Sequence, residues 1–263
     1  MIKKLLSHDH SVTIRKWRTA LRCHLVACFC LLIAGPANAQ TTLFADINKT
    51  GSSGLVGPVQ ELVYANGLVF FINNNNVWRS DGTTTGTFPL IDGEASSISQ
   101  LTSCGDRVYF VATSSAYGEE LWISTGDYAS AININQTAWG ASSSPTHLTN
   151  INGVLYFNAT DGIYGREPWK AFGGYEDVSR VADILKGSGG SNPFEFEEMN
   201  GTVYFTANDG TNGYELWKTN GTATGTSLVK DVRPGTKLSS TPKVLTNVNG
   251  TLYFSAYDET NGR

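Results

Sequence analysis

The chain reads as an all-β propeller of four-stranded blades, about 45–49 residues per repeat, with four full blades and a partial fifth; three observations predict this. An aromatic strand ending in Phe recurs at Phe71, Phe110, Phe157, Phe205 and Phe254, at spacings of 39, 47, 48 and 49 residues. Each copy supplies several short strand-like segments separated by Gly- and Asn-rich turns. No helical periodicity appears beyond the leader. A period of about 45 residues with several strands per unit is the pattern of an array whose units bury their apolar faces only against each other.

The first 39 residues stand apart. Lys3, Lys4, Arg15, Lys16, Arg18 and Arg22 precede an apolar run from Leu25 to Ala34, and Ala37-Asn38-Ala39 supplies a small-x-small cleavage pattern. That is a signal peptide over 1–39, which predicts a secreted or surface-exposed chain starting at Gln40. The ten-residue run is too short to span a bilayer, which takes about 20 residues. Leu25-Val26-Ala27-Cys28 resembles a lipoprotein processing site, but the apolar residues continue past Cys28. Without the leader, the propeller domain over 40–263 keeps 13 basic and 22 acidic residues, a net charge of −9. An acidic body without a basic cluster excludes nucleic acid and anionic membrane surfaces as expected partners. Only Cys104 and His147 remain of four cysteines and four histidines, so an internal disulfide is excluded.

The fourth unit shows the elements most clearly. Phe194–Met199 reads as strand one, and Asn200-Gly201 as a hairpin turn. Thr202–Ala207 is strand two, Tyr214–Thr219 strand three and Ser227–Val232 strand four. Asn-Gly favours the positive backbone angles that tight hairpins need. Leu43-Phe44-Ala45-Asp46-Ile47 matches the fourth-strand segment Leu228–Val232, so 41–47 reads as an orphan strand completing the last blade, the way circular propellers close.

Four columns run through the units. Trp78, Trp122, Trp169 and Trp217 are expected to pack between blades with the indole N–H bonded locally; the alternative is an exposed stacking platform for sugars. Asp46, Asp92, Asp183 and Asp231, with Gln136 standing in after Trp122, are expected to cap turns, against a ring of carboxylates that binds a cation. Cys104 falls in an apolar column and reads as a small core side chain. His147 faces Glu195 and Val244 in the other copies, so it reads as an isolated strand histidine.

The loop between strands two and three holds the candidate ligand-binding residues Asp161, Glu167, Asp209 and Glu215. An Asp with a Glu six residues later can supply oxygen ligands to calcium. A tight Asx/Gly loop accounts for the same residues without metal, and no metal ligand set or other cofactor is assigned. No catalytic residue is identified. One mature histidine excludes multi-histidine metal sites, and no nucleophile elbow accompanies it.

Glu215-Leu216-Trp217-Lys218-Thr219-Asn220-Gly221-Thr222 resembles the repeat that names the bacterial ELWxxDGT (hyalin-like) family, departing only by Asn for Asp. Trp78–Thr83 keeps its second half; Glu120-Leu121-Trp122 and Glu167-Pro168-Trp169 keep its first. The resemblance covers 41–263 and implies a secreted or surface-displayed bacterial propeller with no agreed catalytic residues. The repeat length is also similar to that of five-bladed tachylectin-type lectins. Gly262 aligns with Gly213, after which Tyr-Glu-Leu-Trp would follow, so the repeat predicts a chain cut within a blade. The expected function is a non-enzymatic binding or adhesion module for a glycan or a protein. The alternatives are a structural spacer displaying a further domain and a polysaccharide-acting enzyme using paired carboxylates.

Overall fold

The computed structural model describes residues 30–31, 42–43, 58–91, 93 and 95–262, the first two pairs by backbone alone. Two two-residue strands, β1 (Cys30–Leu31) and β2 (Thr42–Leu43), pair antiparallel. Four four-stranded antiparallel meanders follow. They are β3 (Gln60–Ala65), β4 (Leu68–Asn73), β5 (Asn76–Ser80) and β6 (Phe88–Pro89); then β7 (Ala95–Cys104), β8 (Arg107–Ser114), β9 (Gly118–Ser124) and β10 (Ala129–Ile132). The third is β11 (Thr146–Ile151), β12 (Val154–Thr160), β13 (Arg166–Ala171) and β14 (Val178–Arg180); the fourth is β15 (Phe194–Met199), β16 (Thr202–Asn208), β17 (Tyr214–Thr219) and β18 (Ser227–Lys230). A hairpin, β19 (Lys243–Val248) and β20 (Thr251–Ser255), begins a fifth. Among the described residues there is no helix, and hence none long and apolar enough to cross a membrane.

The meanders are the blades of a propeller array. Their first strands neighbour one another in succession, β3 beside β7, β7 beside β11, β11 beside β15 and β15 beside β19. Among the described residues no strand of the last hairpin pairs with the first blade, so the blades form an open arc. Apart from Cys30–Leu31, the proposed signal peptide lies outside the described residues, as do Asp46, Asp92 and all of the proposed closing strand 41–47 but Thr42–Leu43, which pairs with Cys30–Leu31.

The core lies between blades. Phe70, Ile72 and Val77 of the first blade pack against Leu101, Val108, Phe110 and Trp122 of the second. Leu121 and Ile123 of the second meet Leu155, Phe157 and Trp169 of the third, and Tyr156 meets Phe196 and Phe205 in the next gap. The recurring Phe is fully buried at 71, 110, 157 and 205, each contributing about 1.5–3 kcal/mol of burial. Cys104 is buried in the same core, where burial pushes its thiol up to about 11, so the inert core role holds. Trp122, Trp169 and Trp217 pack in these gaps, while Trp78 packs with Val59, Val69 and Phe71 of its own blade; Trp78 stacks on Phe71 and Trp122 on Phe110 at centroid distances of 6.2 and 6.1 Å. Local bonding of their N–H groups is corrected, however. Trp122 Nε1 donates to the Ala112 carbonyl at 3.1 Å, whereas the buried Nε1 atoms of Trp78, Trp169 and Trp217 have no partner.

Two devices tie one blade to the next. The first is the Glu of Glu-Leu-Trp, fully buried at 120, 167 and 215. Glu167 accepts from the backbone N–H of Ile184, Leu185 and Ser191 and from the Ser191 hydroxyl, at 2.7–3.2 Å. Glu120 does the same with Ile134, Asn135 and Ser143, and Glu215 with Val232 and Ser240. Each carboxylate thus pins both ends of the loop leading to the next blade. β18 stops at Lys230, two residues short of the expected end, because the Val232 N–H turns to Glu215. In the first blade Asn76 takes this place, pairing its amide with both the N–H and the carbonyl of Ile91. The second device is a bulge near the start of each first strand, where Glu61, Gln100, His147, Glu195 and Val244 all have φ of 42–60°. Glu61, Gln100 and Glu195 accept from the N–H of Leu101, Leu148 and Leu245 in the next blade. The His147 ring lies 6.0 Å from Phe194 of the next blade. His147 therefore occupies a repeated backbone position, which its sequence column concealed.

Removing the Glu167 clamp leaves the buried Ser191 N–H and hydroxyl, and the partly buried N–H groups of Ile184 and Leu185, without their acceptor, each buried group costing about 1–3 kcal/mol. Glu167→Ala should therefore lose at least about 3 kcal/mol in denaturant unfolding, whereas the exposed Glu176→Ala should stay within about 0.5 kcal/mol. Burial also pushes the Glu120 and Glu167 carboxyls above the usual Glu value of 4.5, against the opposing pull of the Ser and backbone donors. A raised carboxyl pKa favours the folded state at low pH. Its contribution is complete below 4.5 and is lost as pH rises through the raised value. Melting temperature followed from pH 4 upward should show this decline in the native chain, and the double variant E120Q/E167Q should lack it.

Candidate functional site

The four candidate residues do not converge. Asp161 Oδ1 accepts from the N–H of Ile163 and Tyr164 at 2.9 and 3.0 Å, and its Oδ2 pairs with Arg180 at 3.2 Å. Asp209 holds its own loop likewise, accepting from the N–H of Thr211 and Asn212 and from the Asn212 amide at 2.7–2.8 Å. Burial would raise the Asp209 carboxyl, but the Asn212 and Thr211 donors outweigh it and hold it below the usual range. Glu167 and Glu215 point instead into the inter-blade loops, their oxygens taken by the donors described above. Among the described residues no three Asp, Glu, His or Cys side chains gather around a common point.

The Asp column behaves differently from its expected turn-capping role. Asp183 and Asp231 each leave Oδ1 buried without a donor, while Asp183 Oδ2 lies 3.9 Å from Lys186. The turn N–H groups they were expected to cap are held by Glu167 and Glu215, which sit deeper and reach both loop ends. The member of the column in the second blade is Asn133, not Gln136. Asn133 precedes Ile134, whose N–H goes to Glu120, as Asp183 precedes Ile184 and Asp231 precedes Val232. Its Oδ1 too is buried and unpartnered.

Asn133 also lines a cavity in the second blade. The β8–β9 loop and the loop from β10 to β11 enclose about 230 Å³ between Ala116, Tyr117, Asn133, Gln136, Ala138 and Trp139. Trp139 is 83% exposed and Tyr117 40%, and their rings stand 6.5 Å apart with a tilt of 36°, two walls of an open wedge. The Gln136 amide donates to the Asn133 carbonyl at 3.1 Å, keeping its own oxygen as an acceptor. In the next blade Tyr164 holds the place of Tyr117, but the Arg180 guanidinium covers its ring at 3.6 Å. In the fourth blade the position is Asn212.

The walls are cross-linked to each other. Gly140 N–H donates to the Ala116 carbonyl, Ser143 and Ser144 N–H to the Glu119 carbonyl, and Glu119 N–H to the Ser142 hydroxyl, at 2.9–3.1 Å. Asn135 closes the loop on itself, donating to the Ser142 carbonyl and accepting from Thr137. Gly118 permits this approach. Its φ is +69°, and a Cβ there would stand 2.5 Å from the Gly140 carbonyl oxygen. An exposed aromatic pair on a rigid frame, lined by Gln136 with a free amide oxygen and by no charged residue, can stack and hydrogen-bond a polar ligand. It has no acid, base or nucleophile for chemistry.

No family model matches the chain, and no curated protein matches it. Among solved structures it is similar to the computationally designed Ika8 protein (TM-score 0.43, 15% identity, 81% of this chain and 61% of that one). It is similar to a protein assigned as TolB from Agrobacterium tumefaciens (TM-score 0.44, 9% identity, 79% and 72%). It also resembles an α-L-arabinofuranosidase from Clostridium thermocellum (TM-score 0.31, 14% identity, 76% and 81%). The chain spans about three fifths of the length of the designed protein. These likenesses say nothing about what the chain binds.

Gly118→Ala should open the wedge, because the two loops can no longer meet. The expected loss of stability is about 1–3 kcal/mol. Gly105→Ala is the matched control, since Gly105 has φ +64° but nothing within 4 Å of a Cβ. It should cost only about 1–2 kcal/mol for the left-handed backbone. Chemical denaturation of both separates the clash from the conformational cost.

Proposed function

We propose that this chain is a secreted or surface-exposed bacterial binding module, non-catalytic, whose propeller array presents a site for an extracellular glycan. The observation that carries the reading is the wedge of Tyr117 and Trp139 over Asn133 and Gln136. A Trp left 83% exposed forgoes burial that would contribute about 1.5–3 kcal/mol to a large apolar side chain. Its loop is nevertheless held in place by hydrogen bonds on both sides. The signal-like leader, the acidic mature body and the resemblance to the ELWxxDGT repeats support an extracellular setting. The ligand-binding candidates Glu167 and Glu215 are engaged in holding loops.

A glycan array probed with the purified protein should show binding that Trp139→Ala abolishes while the melting temperature stays unchanged. A blank array together with a blank surface-protein pull-down, both from folded protein, would remove the binding reading and leave the spacer role.

A further inference from the structure

We infer that the blade-two wedge takes a single uncharged pyranose ring of a neutral saccharide and discriminates against acidic ones. The inference rests on the binding reading above and adds the ligand's charge and size. About 230 Å³ lies below the roughly 300–1,000 Å³ of sites for drug-sized ligands, which sets the scale at one ring. The aromatic walls meet at 36° rather than in parallel, so a ring with one apolar C–H face can lie on Trp139 while its edge meets Tyr117.

The polar groups set the charge preference. No residue lining the wedge carries a charge. At the column position where the next two blades carry Asp183 and Asp231, this blade has the neutral Asn133. The Asn133 Oδ1 is buried and lacks a donor within the protein, so it stands behind the wedge as a neutral wall rather than on its open face. Gln136 adds a free carbonyl oxygen, since its Nε2 is spent on the Asn133 backbone. One free amide oxygen beside two aromatic faces suits a ligand hydroxyl that donates. No guanidinium or ammonium is present to compensate a ligand carboxylate, and the mature chain at −9 repels anions. Blade three shows the contrast, where Arg180 fills the equivalent place over Tyr164 and pairs with Asp161.

The test is titration calorimetry of the purified full-length protein, with tryptophan emission recorded in parallel. The probes are neutral gluco-, galacto- and manno-oligosaccharides, and oligogalacturonate as the acidic series. At least one neutral series should bind tenfold or more tightly than oligogalacturonate and blue-shift the emission as Trp139 is covered. Trp139→Ala and Tyr117→Ala should each weaken it at least tenfold without changing the melting temperature, because both rings are exposed. Asn133→Asp, which restores the charge of the other blades, should weaken neutral sugars as well. Tighter binding of oligogalacturonate overturns the inference while the binding reading stands. So does a captured surface protein that cross-links through position 139 with no saccharide bound. Saccharide binding unaffected by Trp139→Ala overturns the location. Absence of any glycan or protein partner overturns both.

Discussion

Everything in this array hangs on a carboxylate taken out of water. A propeller blade is a sheet with two apolar faces, and stacking blades is the easy half of the problem. The hard half is the connection, which must leave the outer strand of one blade and return to the inner strand of the next without orphaning its backbone. Glu120, Glu167 and Glu215 solve it from inside, each collecting the first and last N–H groups of that connection along with a serine hydroxyl. Burying a charge is costly unless it is fully hydrogen-bonded, and these are. Because the acceptor sits in the third strand, the loop's geometry is set by the sheet rather than by the loop's own residues. Connections of quite different composition can therefore leave from the same frame.

That separation explains what the sequence disclosed and what it hid. The strands, the hairpin turns and the recurring Phe were legible because period-two strands and Asn-Gly turns need particular residue types. The Glu of Glu-Leu-Trp was visible as a conserved spacing within the chain, but its role was not, since a carboxylate near a loop looks the same whether it faces solvent or the core. The bulge column of Glu61, Gln100, His147, Glu195 and Val244 carries no shared chemistry, so nothing in the residues announced a shared φ. The Asp column slipped to Gln136 because counting from Trp122 assumes a fourth strand and turn of constant length, while the hydrogen bond to Glu120 marks Asn133.

The wedge was the least legible part. Trp139 falls outside every repeated column, and its partner Tyr117 belongs to a loop whose Tyr, Gly and Glu recur in the next blade as Tyr164, Gly165 and Glu167. The side chain above the Tyr differs: an Arg in blade three, an exposed indole in blade two. In a repeat array the structural roles are those that recur, so the candidate for a role of another kind is a place where recurrence fails while the frame around it stays rigid.

The Asp-Gly-Thr turn ends on a different note. Asp81 in the first blade accepts from the N–H and hydroxyl of Thr83 at 2.8 and 2.7 Å through one oxygen, and Asn220 in the fourth does so from Thr222 at 3.0 and 2.7 Å. Each turn closes with a hydroxyl pair, Ser80 with Thr87 and Thr219 with Thr226. Within the turn only Oδ1 accepts, so its closure is indifferent to whether the second atom is nitrogen or oxygen, although the Oδ2 of Asp81 also faces Arg79 at 3.9 Å. Asn220-Gly221 is the dipeptide most prone to spontaneous hydrolysis of its side-chain amide, and the aspartyl product is the residue that blade one already carries. Hydrolysis to aspartate would thus add negative charge at this turn without altering its shape. Only the isoaspartyl product, which lengthens the backbone by one methylene, would unlatch it.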